Sequence, residues 1–138
     1  MKTAFMILVV VFLALSIGCG GGSKSVKGTW EIVYPESEDG SEAPGNTKLL
    51  TDTHFAFGSP TARGGIFAGG GTYAISDSTY TEYIQYHALP WLVGQQLEFK
   101  YLVEDGKWYH SGSFDIDGHK FTVNEVWQRV EKDQARND

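Results

Sequence analysis

The sequence predicts an all-β protein, a single antiparallel meander of about eight strands closed into a barrel. Aromatic residues make up 14% of the chain and glycines number 17, a composition that suits pleated sheets joined by tight turns. After residue 26 no stretch shows the apolar spacing of a helix. A long meander tends to close because closure leaves no exposed strand edge. An open β-sandwich is the alternative architecture.

The first four predicted strands are short apolar or alternating segments. The sequence KGTWEIVY alternates and runs into an acidic loop, while TKLL and FAFGS flank a turn of small polar residues. The fourth segment, IFAGGGTYAIS, contains three glycines, which permit the sharp coiling of a barrel corner. These strands are predicted over residues 27–34, 47–50, 55–59 and 66–76.

The last four predicted strands are joined mainly by hairpin turns. The dipeptides Asp77-Ser78, Asp105-Gly106 and Asp117-Gly118 are turn signals between alternating segments. The apolar run 89–93 interrupts the pattern, and we expect it to plug one barrel end; an exposed lip for a ligand, a partner or the membrane is the alternative. The strands are predicted over residues 79–87, 95–104, 108–116 and 119–130.

The N-terminus has the pattern of an export signal. Lys2 precedes an apolar run over residues 4–17, which is shorter than the about 20 residues of a membrane-spanning helix. The end of this run, Ser16-Ile17-Gly18-Cys19, resembles the lipobox of bacterial lipoproteins, with Ser16 in place of the usual leucine. Cys19 is the only cysteine, and acylation would give this unpaired thiol a use. An ordinary signal peptide with an incidental cysteine is the alternative.

The predicted organisation is one domain behind a lipid anchor. It comprises a signal peptide (1–18), an acylated Cys19 with a flexible tether (19–26), the barrel (27–131) and a polar tail (132–138). We expect a location in the bacterial cell envelope, facing the periplasm or the exterior. A net charge of −6 without any run of Lys or Arg argues against nucleic-acid binding. A single cysteine provides neither a disulfide nor a thiolate zinc site, and no cofactor or protein partner is indicated.

The first and last predicted strands of the barrel carry a recognisable pair of residues. Gly28-Thr29-Trp30 on the first strand and Arg129 on the last resemble the lipocalin and calycin pattern, in which the arginine packs on the tryptophan near the closed end. Such a guanidinium–indole contact contributes roughly 0.5–2 kcal/mol. The chain over residues 26–131 is also similar to small bacterial lipocalin-like domains of unknown function in exported proteins, through the segments KGTWEIV, TKLLTDTHFAF, GGGTY, TYTEYIQY, LVGQQLEFKY, WYHSG and EVWQRV. This resemblance implies a lipocalin-like barrel and export, and no established activity.

Strand alternation assigns candidate site residues to the barrel interior. If Arg129 reaches Trp30, then Glu125 and Trp127 face inward on the last strand; His110 shares the inner face of its strand. On the fifth strand Tyr80, Glu82, Ile84 and Tyr86 form one face, and the opposite face remains an alternative. The predicted site has an aromatic wall and polar groups that orient a ligand: Tyr80, Trp108, Phe114 and Trp127, with Glu82, His110 and Glu125. His54 is expected near the rim.

Three roles are open for the interior polar residues. His110 can bond Glu125 or a tyrosine and fix the strand register, orient a ligand, or take part in metal binding or catalysis. Nucleophilic catalysis has little support, because Ser111-Gly112-Ser113 lacks a following helix. We therefore predict no catalytic residue, no metal site and no enzyme. The favoured function is non-covalent binding of a small, partly apolar ligand, and the alternative is a structural or protein-interaction module with a filled barrel.

Overall fold

The computed structural model of this chain describes residues 24–34 and 45–131. These residues form a closed antiparallel barrel in which each strand pairs with the next and the last returns to the first. A short 3₁₀ turn, Pro90–Leu92, lies between the fifth and sixth strands. The strands are β1 (Gly28–Tyr34), β2 (Thr47–Leu50), β3 (His54–Pro60), β4 (Ile66–Ser76), β5 (Thr79–His87), β6 (Gln96–Glu104), β7 (Lys107–Ile116) and β8 (His119–Arg129). The predicted all-β meander barrel is confirmed.

The predicted strand boundaries agree with the observed ones to within one residue. The hairpin turns explain this agreement. Asp105 and Gly106 have φ values of 50° and 72°, and Asp117 and Gly118 have 51° and 79°. Two successive left-handed residues are the requirement of a type I′ turn, whose twist matches that of the flanking strands.

The barrel closes through β1 and β8. Trp30 and Arg129 are paired residues of these two strands. The guanidinium carbon of Arg129 lies 4.2 Å from the centre of a Trp30 ring, and the guanidinium donates hydrogen bonds to the carbonyls of Lys27, at 2.7 Å, and Ser25. The Trp30 indole N–H donates to the Val26 carbonyl at 2.6 Å. Arg129 therefore ties the segment before β1 to the end of β8, in the arrangement that the sequence predicts.

One end of the barrel is packed solid with aromatic side chains. Trp30, Tyr80 and Trp108 are each 0% exposed and Phe55 is 2% exposed. Trp108 meets Trp30 and Tyr80 edge-on, with ring centroids 5.5 and 5.1 Å apart. The strands, the closing pair and this core all lie between residues 26 and 129, so a chain of residues 24–138 contains the complete barrel.

A bulge in the β4–β5 pairing changes which residues face inward at the end of β5. Gly70 pairs with Tyr86 and Gly71 with Ile84, so Gln85 is an extra residue. Ile84 is buried, Tyr86 is 53% exposed, and His87 takes the inward position. The prediction that Tyr86 shares the inner face of β5 is wrong, because strict alternation does not survive an inserted residue.

The predicted signal peptide (1–18), Cys19 and the tail 132–138 lie outside the described residues, as does most of the tether. Within the described ranges, no helix has the length and apolar character required to cross a membrane.

Candidate ligand-binding cavity

The barrel interior contains a cavity of about 320 Å³ next to the packed aromatic core. Its volume lies within the range of small-molecule sites, about 300–1,000 Å³. Most of the wall is apolar, and its main residues are Phe57, Phe67, Leu92, Leu97, Phe99 and Phe121. The polar side chains of the wall are those of Asn46, Lys48, Ser59, Glu82, His87, His110 and Glu125. The cavity thus combines an apolar wall with a small set of buried ionisable groups.

Lys48 and Glu82 form a buried ion pair in this cavity. Their side chains are 5% and 7% exposed, and Nζ of Lys48 lies 3.0 Å from Oε1 of Glu82. The Tyr80 hydroxyl donates a hydrogen bond of 3.0 Å to the same oxygen. Lys48 Nζ also lies 5.1 Å from the centre of a Trp108 ring and 5.2 Å from that of Trp127. Burial, together with the adjacent Glu82 carboxylate, holds the pKa of Tyr80 well above its usual value of 10.0.

His110 and Glu125 form a second pair across β7 and β8. Nδ1 of His110 lies 3.2 Å from Oε2 of Glu125, and the Trp127 indole N–H donates to that oxygen at 2.9 Å. Burial, and then the charge of Lys48, lower the pKa of His110, so the imidazole is neutral near pH 7. Because a carboxylate only accepts, the proton of the neutral ring lies on Nδ1. Nε2 is enclosed and has no hydrogen-bond partner within the described part of the chain.

Glu125 is a carboxylate with one oxygen still open. Burial acts to raise its pKa, but the hydrogen bond from His110 and the charge of Lys48 outweigh burial, and the net pKa is lowered. Both hydrogen bonds go to Oε2. Oε1 has no hydrogen-bond partner among the described residues, and the side chain is 27% exposed where it borders the cavity. Glu125 therefore lines the cavity with one carboxylate oxygen outside these two hydrogen bonds.

The same barrel region is matched by a protein family. Residues 25–137 match the family described as Domain of unknown function (DUF4488). The chain belongs to this family. It is also similar in structure to a lipocalin-like protein from Bacteroides uniformis, with a TM-score of 0.48 and 14% sequence identity over 75% of this chain and 97% of that chain. No curated protein matches the chain.

The DUF4488 barrel brings four of the predicted site residues to the cavity. Glu82, His110, Glu125 and Trp127 line it. Tyr80 and Trp108 do not line it; they belong to the packed core, where their rings surround Lys48. Both side chains are 0% exposed, so they pack against the polar residues and do not form part of the cavity wall.

Two further predicted positions lie away from the cavity of the DUF4488 barrel. Phe114 is half-buried beside it and packs against Phe99 and Phe121, each with a centroid separation of 5.0 Å. His54 is the exposed first residue of β3, where its ring hydrogen-bonds the hydroxyl of Thr53, and it does not line the cavity. A second histidine also lines the cavity beside His110: it is His87 at the end of β5, which pairs with Gly69 of β4.

Lys48 is the charged cavity residue that the sequence did not predict. Its strand, β2, has only four residues, and Leu49 and Leu50 are both apolar. Alternation therefore fits either face, yet Leu49 is 50% exposed while Leu50 is 4% exposed. The available signal was pairing: Lys48 is opposite Trp30 on one side and Phe57 on the other, and a cation with aromatic neighbours across the sheet is a candidate for cation–π packing.

The apolar run 89–93 forms part of the cavity wall. Leu92 is buried, whereas Leu89 and Val93 are 36% and 45% exposed. Trp91 is half-buried and stacks on His119, with ring centroids 4.7 Å apart at 16°. The segment is thus a wall with an exposed outer edge, which combines features of the plug and of the lip.

The buried polar groups do not form a metal centre. Among the described residues, no three His, Cys, Asp or Glu side chains lie close enough together to hold a metal ion. The carboxylate of Glu82 is instead neutralised by Lys48 at 3.0 Å.

Proposed function

We propose that this DUF4488 protein binds a small, partly apolar molecule non-covalently inside the barrel. The observation that carries the proposal is the cavity of about 320 Å³, walled by aromatic and aliphatic side chains and bordered by the open oxygen of Glu125. An apolar pocket with a few convergent polar groups is the usual form of a small-molecule site. A structural module with a filled barrel is less well supported, because its interior would have no such space.

Binding is also better supported than catalysis by the state of His110. A general base must reach the proton that it removes. Nδ1 of His110 is occupied by Glu125, and Nε2 is buried; the centroids of the His110 and Phe99 rings are only 4.0 Å apart. The imidazole therefore holds Glu125 in place and leaves the contact with a ligand to the carboxylate.

Blocking the cavity tests the proposal. Val123 lines the cavity, and its neighbour Asn124 is exposed on the outer face of β8. Residues 24–138 are purified from a bacterial periplasm as the parent, Val123→Trp and Asn124→Trp proteins, and each is examined by native mass spectrometry. We expect a retained small molecule on the parent and on Asn124→Trp, and none on the folded Val123→Trp variant. An unliganded parent, or the same retained mass on all three proteins, would contradict the proposal.

We further propose that the barrel is held at the bacterial envelope by an acyl chain on Cys19. The support is the apolar run that ends at the only cysteine, followed by a Gly/Ser-rich segment. Mass spectrometry of the N-terminal peptide from the full chain expressed in bacteria tests this. A diacylglycerol adduct on Cys19, absent from Cys19→Ser, is expected; an unmodified thiol in the mature protein would exclude the anchor.

A further inference from the structure

The cavity carries an unbalanced negative charge. The ionisable residues that line it are Lys48, Glu82, His87, His110 and Glu125. Burial is the main cause that lowers the pKa of both histidines, so both are neutral near pH 7. One cation then faces two carboxylates. Lys48 is committed to Glu82 at 3.0 Å, which leaves Glu125 without a cation of its own at contact distance.

A carboxylate that no cation contacts, in a mainly apolar cavity, favours a positive partner. Burial of a charge is costly unless the charge is paired and hydrogen-bonded. His110 and Trp127 supply two neutral hydrogen bonds to Oε2, which position the carboxylate without cancelling its charge. A bound anion would add a second unpaired negative charge, and a bound hydroxyl would leave the charge of Glu125 unchanged. A bound ammonium group would cancel it.

We infer that the ligand carries a protonated amine, placed against Oε1 of Glu125, with its apolar body against the aromatic wall. This inference rests on the proposed ligand-binding function and names the chemical class of the ligand. Trp127 donates its indole N–H to the same carboxylate and lines the cavity, so its ring is part of the apolar wall next to Glu125. A cavity of about 320 Å³ has room for about ten atoms the size of a water molecule, which suits an arylalkylamine. The net charge of −6 attracts cationic ligands to the protein as a whole.

Three phenyl-substituted probes, two of them equal in size and the third slightly larger, separate the effect of charge from that of shape. Binding of 2-phenylethylamine, 2-phenylethanol and 3-phenylpropanoate to residues 24–138 is measured by isothermal titration calorimetry at pH 7. The parent is expected to bind the amine at least about tenfold more tightly than the alcohol, the size of effect expected for a charge-assisted hydrogen bond. The carboxylate probe is expected to bind most weakly.

Two matched variants test the role of Glu125. Glu125→Gln keeps an acceptor for His110 and Trp127 but removes the charge, so we expect the amine to fall to the affinity of the alcohol, whose own affinity stays the same. Glu98→Gln removes a charge of the same sign from the exposed outer face of β6 and is expected to keep the amine preference. Cooperative urea unfolding of each variant confirms that the barrel is intact.

The outcomes separate this inference from the proposal of ligand binding. If the alcohol or the acid binds as tightly as the amine, or if Glu125→Gln keeps the preference, the amine inference is overturned while cavity binding stands. If no probe binds and the mass retained by the parent contains no amine, the amine inference is overturned in the same way. If no probe binds and nothing is retained on the parent, both proposals are overturned.

Discussion

At the scale of single residues, the ion pair of Lys48 and Glu82 is buried on both sides, with side chains 5% and 7% exposed. Removal of one partner of a buried pair leaves an isolated charge and typically costs about 3–5 kcal/mol. We expect Lys48→Met to lower the free energy of unfolding by that amount, because Glu82 retains only the hydrogen bond from Tyr80. The double variant Lys48→Met/Glu82→Gln should recover a large part of the loss. Urea unfolding of the two variants and the parent measures both effects, and a double variant no more stable than the single one would show that the pair is not the source of the cost.

The sequence predicted which side chains face the barrel interior where another residue on the same strand indicated the inward face. Glu125 and Trp127 were predicted to face inward because they alternate on one strand with Arg129, which had to reach Trp30. Lys48 was missed because β2 is too short for alternation to distinguish its faces, and a lysine is rarely buried. The partnership of Glu82 with a cation followed only from the three-dimensional closeness of β2 and β5, which are not neighbours in the sheet.

At the scale of elements, the β4–β5 bulge decides which side chains reach the cavity. It depends on Gly71, because a Cβ at this position would overlap the carbonyl oxygen of Tyr83 on the backbone of β5. Backbone cannot give way as a flexible side chain can. We expect Gly71→Ala to cost more than about 2 kcal/mol of unfolding free energy or to shift the register of β5, since overpacking of this kind commonly costs about 1–3 kcal/mol.

Gly45→Ala is the matched control for this element, because a Cβ at residue 45 would meet nothing within 4 Å. We expect its unfolding free energy to stay within about 0.5 kcal/mol of the parent, as at most surface positions. Urea unfolding compares the two variants, and amide chemical shifts along β5 report a shifted register. The bulge does not depend on Gly71 if three proteins are equally stable and have the same chemical shifts: Gly71→Ala, Gly45→Ala and the parent.

The sequence predicted the strands well and the bulge not at all, for one physical reason. Strand limits follow from local chemistry, such as the left-handed Asp-Gly turns that end β6 and β7. A bulge follows from the pairing of two strands, and the glycines of β4 show only that the backbone can bend there. The inward set of β5 was therefore correct as far as Ile84 and wrong at Tyr86.

At the scale of the whole molecule, the buried network predicts a pH range of maximal stability. The ordinary pKa of histidine is 6.5, and burial lowers the folded-state pKa of His110 and His87. As the pH falls below 6.5 the unfolded chain takes up protons first, so the barrel loses stability until the lowered folded-state pKa values are passed. Glu125, whose net pKa is lowered from 4.5, adds a further loss below that pH by the same sign of linkage.

The alkaline side follows from Tyr80 with the opposite sign. Burial and the Glu82 carboxylate raise its pKa well above 10.0, so its contribution is complete below pH 10.0 and is lost as the unfolded chain releases the phenolic proton first. We therefore expect the free energy of unfolding to be nearly constant between pH 6.5 and pH 10.0, the ordinary pKa values of histidine and tyrosine, and to fall at lower and at higher pH. Urea unfolding at a series of pH values measures the profile.

Replacing single histidines shows which of them causes the loss of stability at acid pH, the acid limb of this profile. In His110→Gln a neutral amide can still donate a hydrogen bond to Glu125. The loss of unfolding free energy that His110 causes below pH 6.5, at most about 1.4 kcal/mol per pH unit, should therefore disappear. The loss that His87 causes should remain. His54→Gln, which replaces an exposed histidine outside the cavity, is the control variant. An acid limb that is identical in the parent and in both variants would mean that His110 does not couple folding to protons.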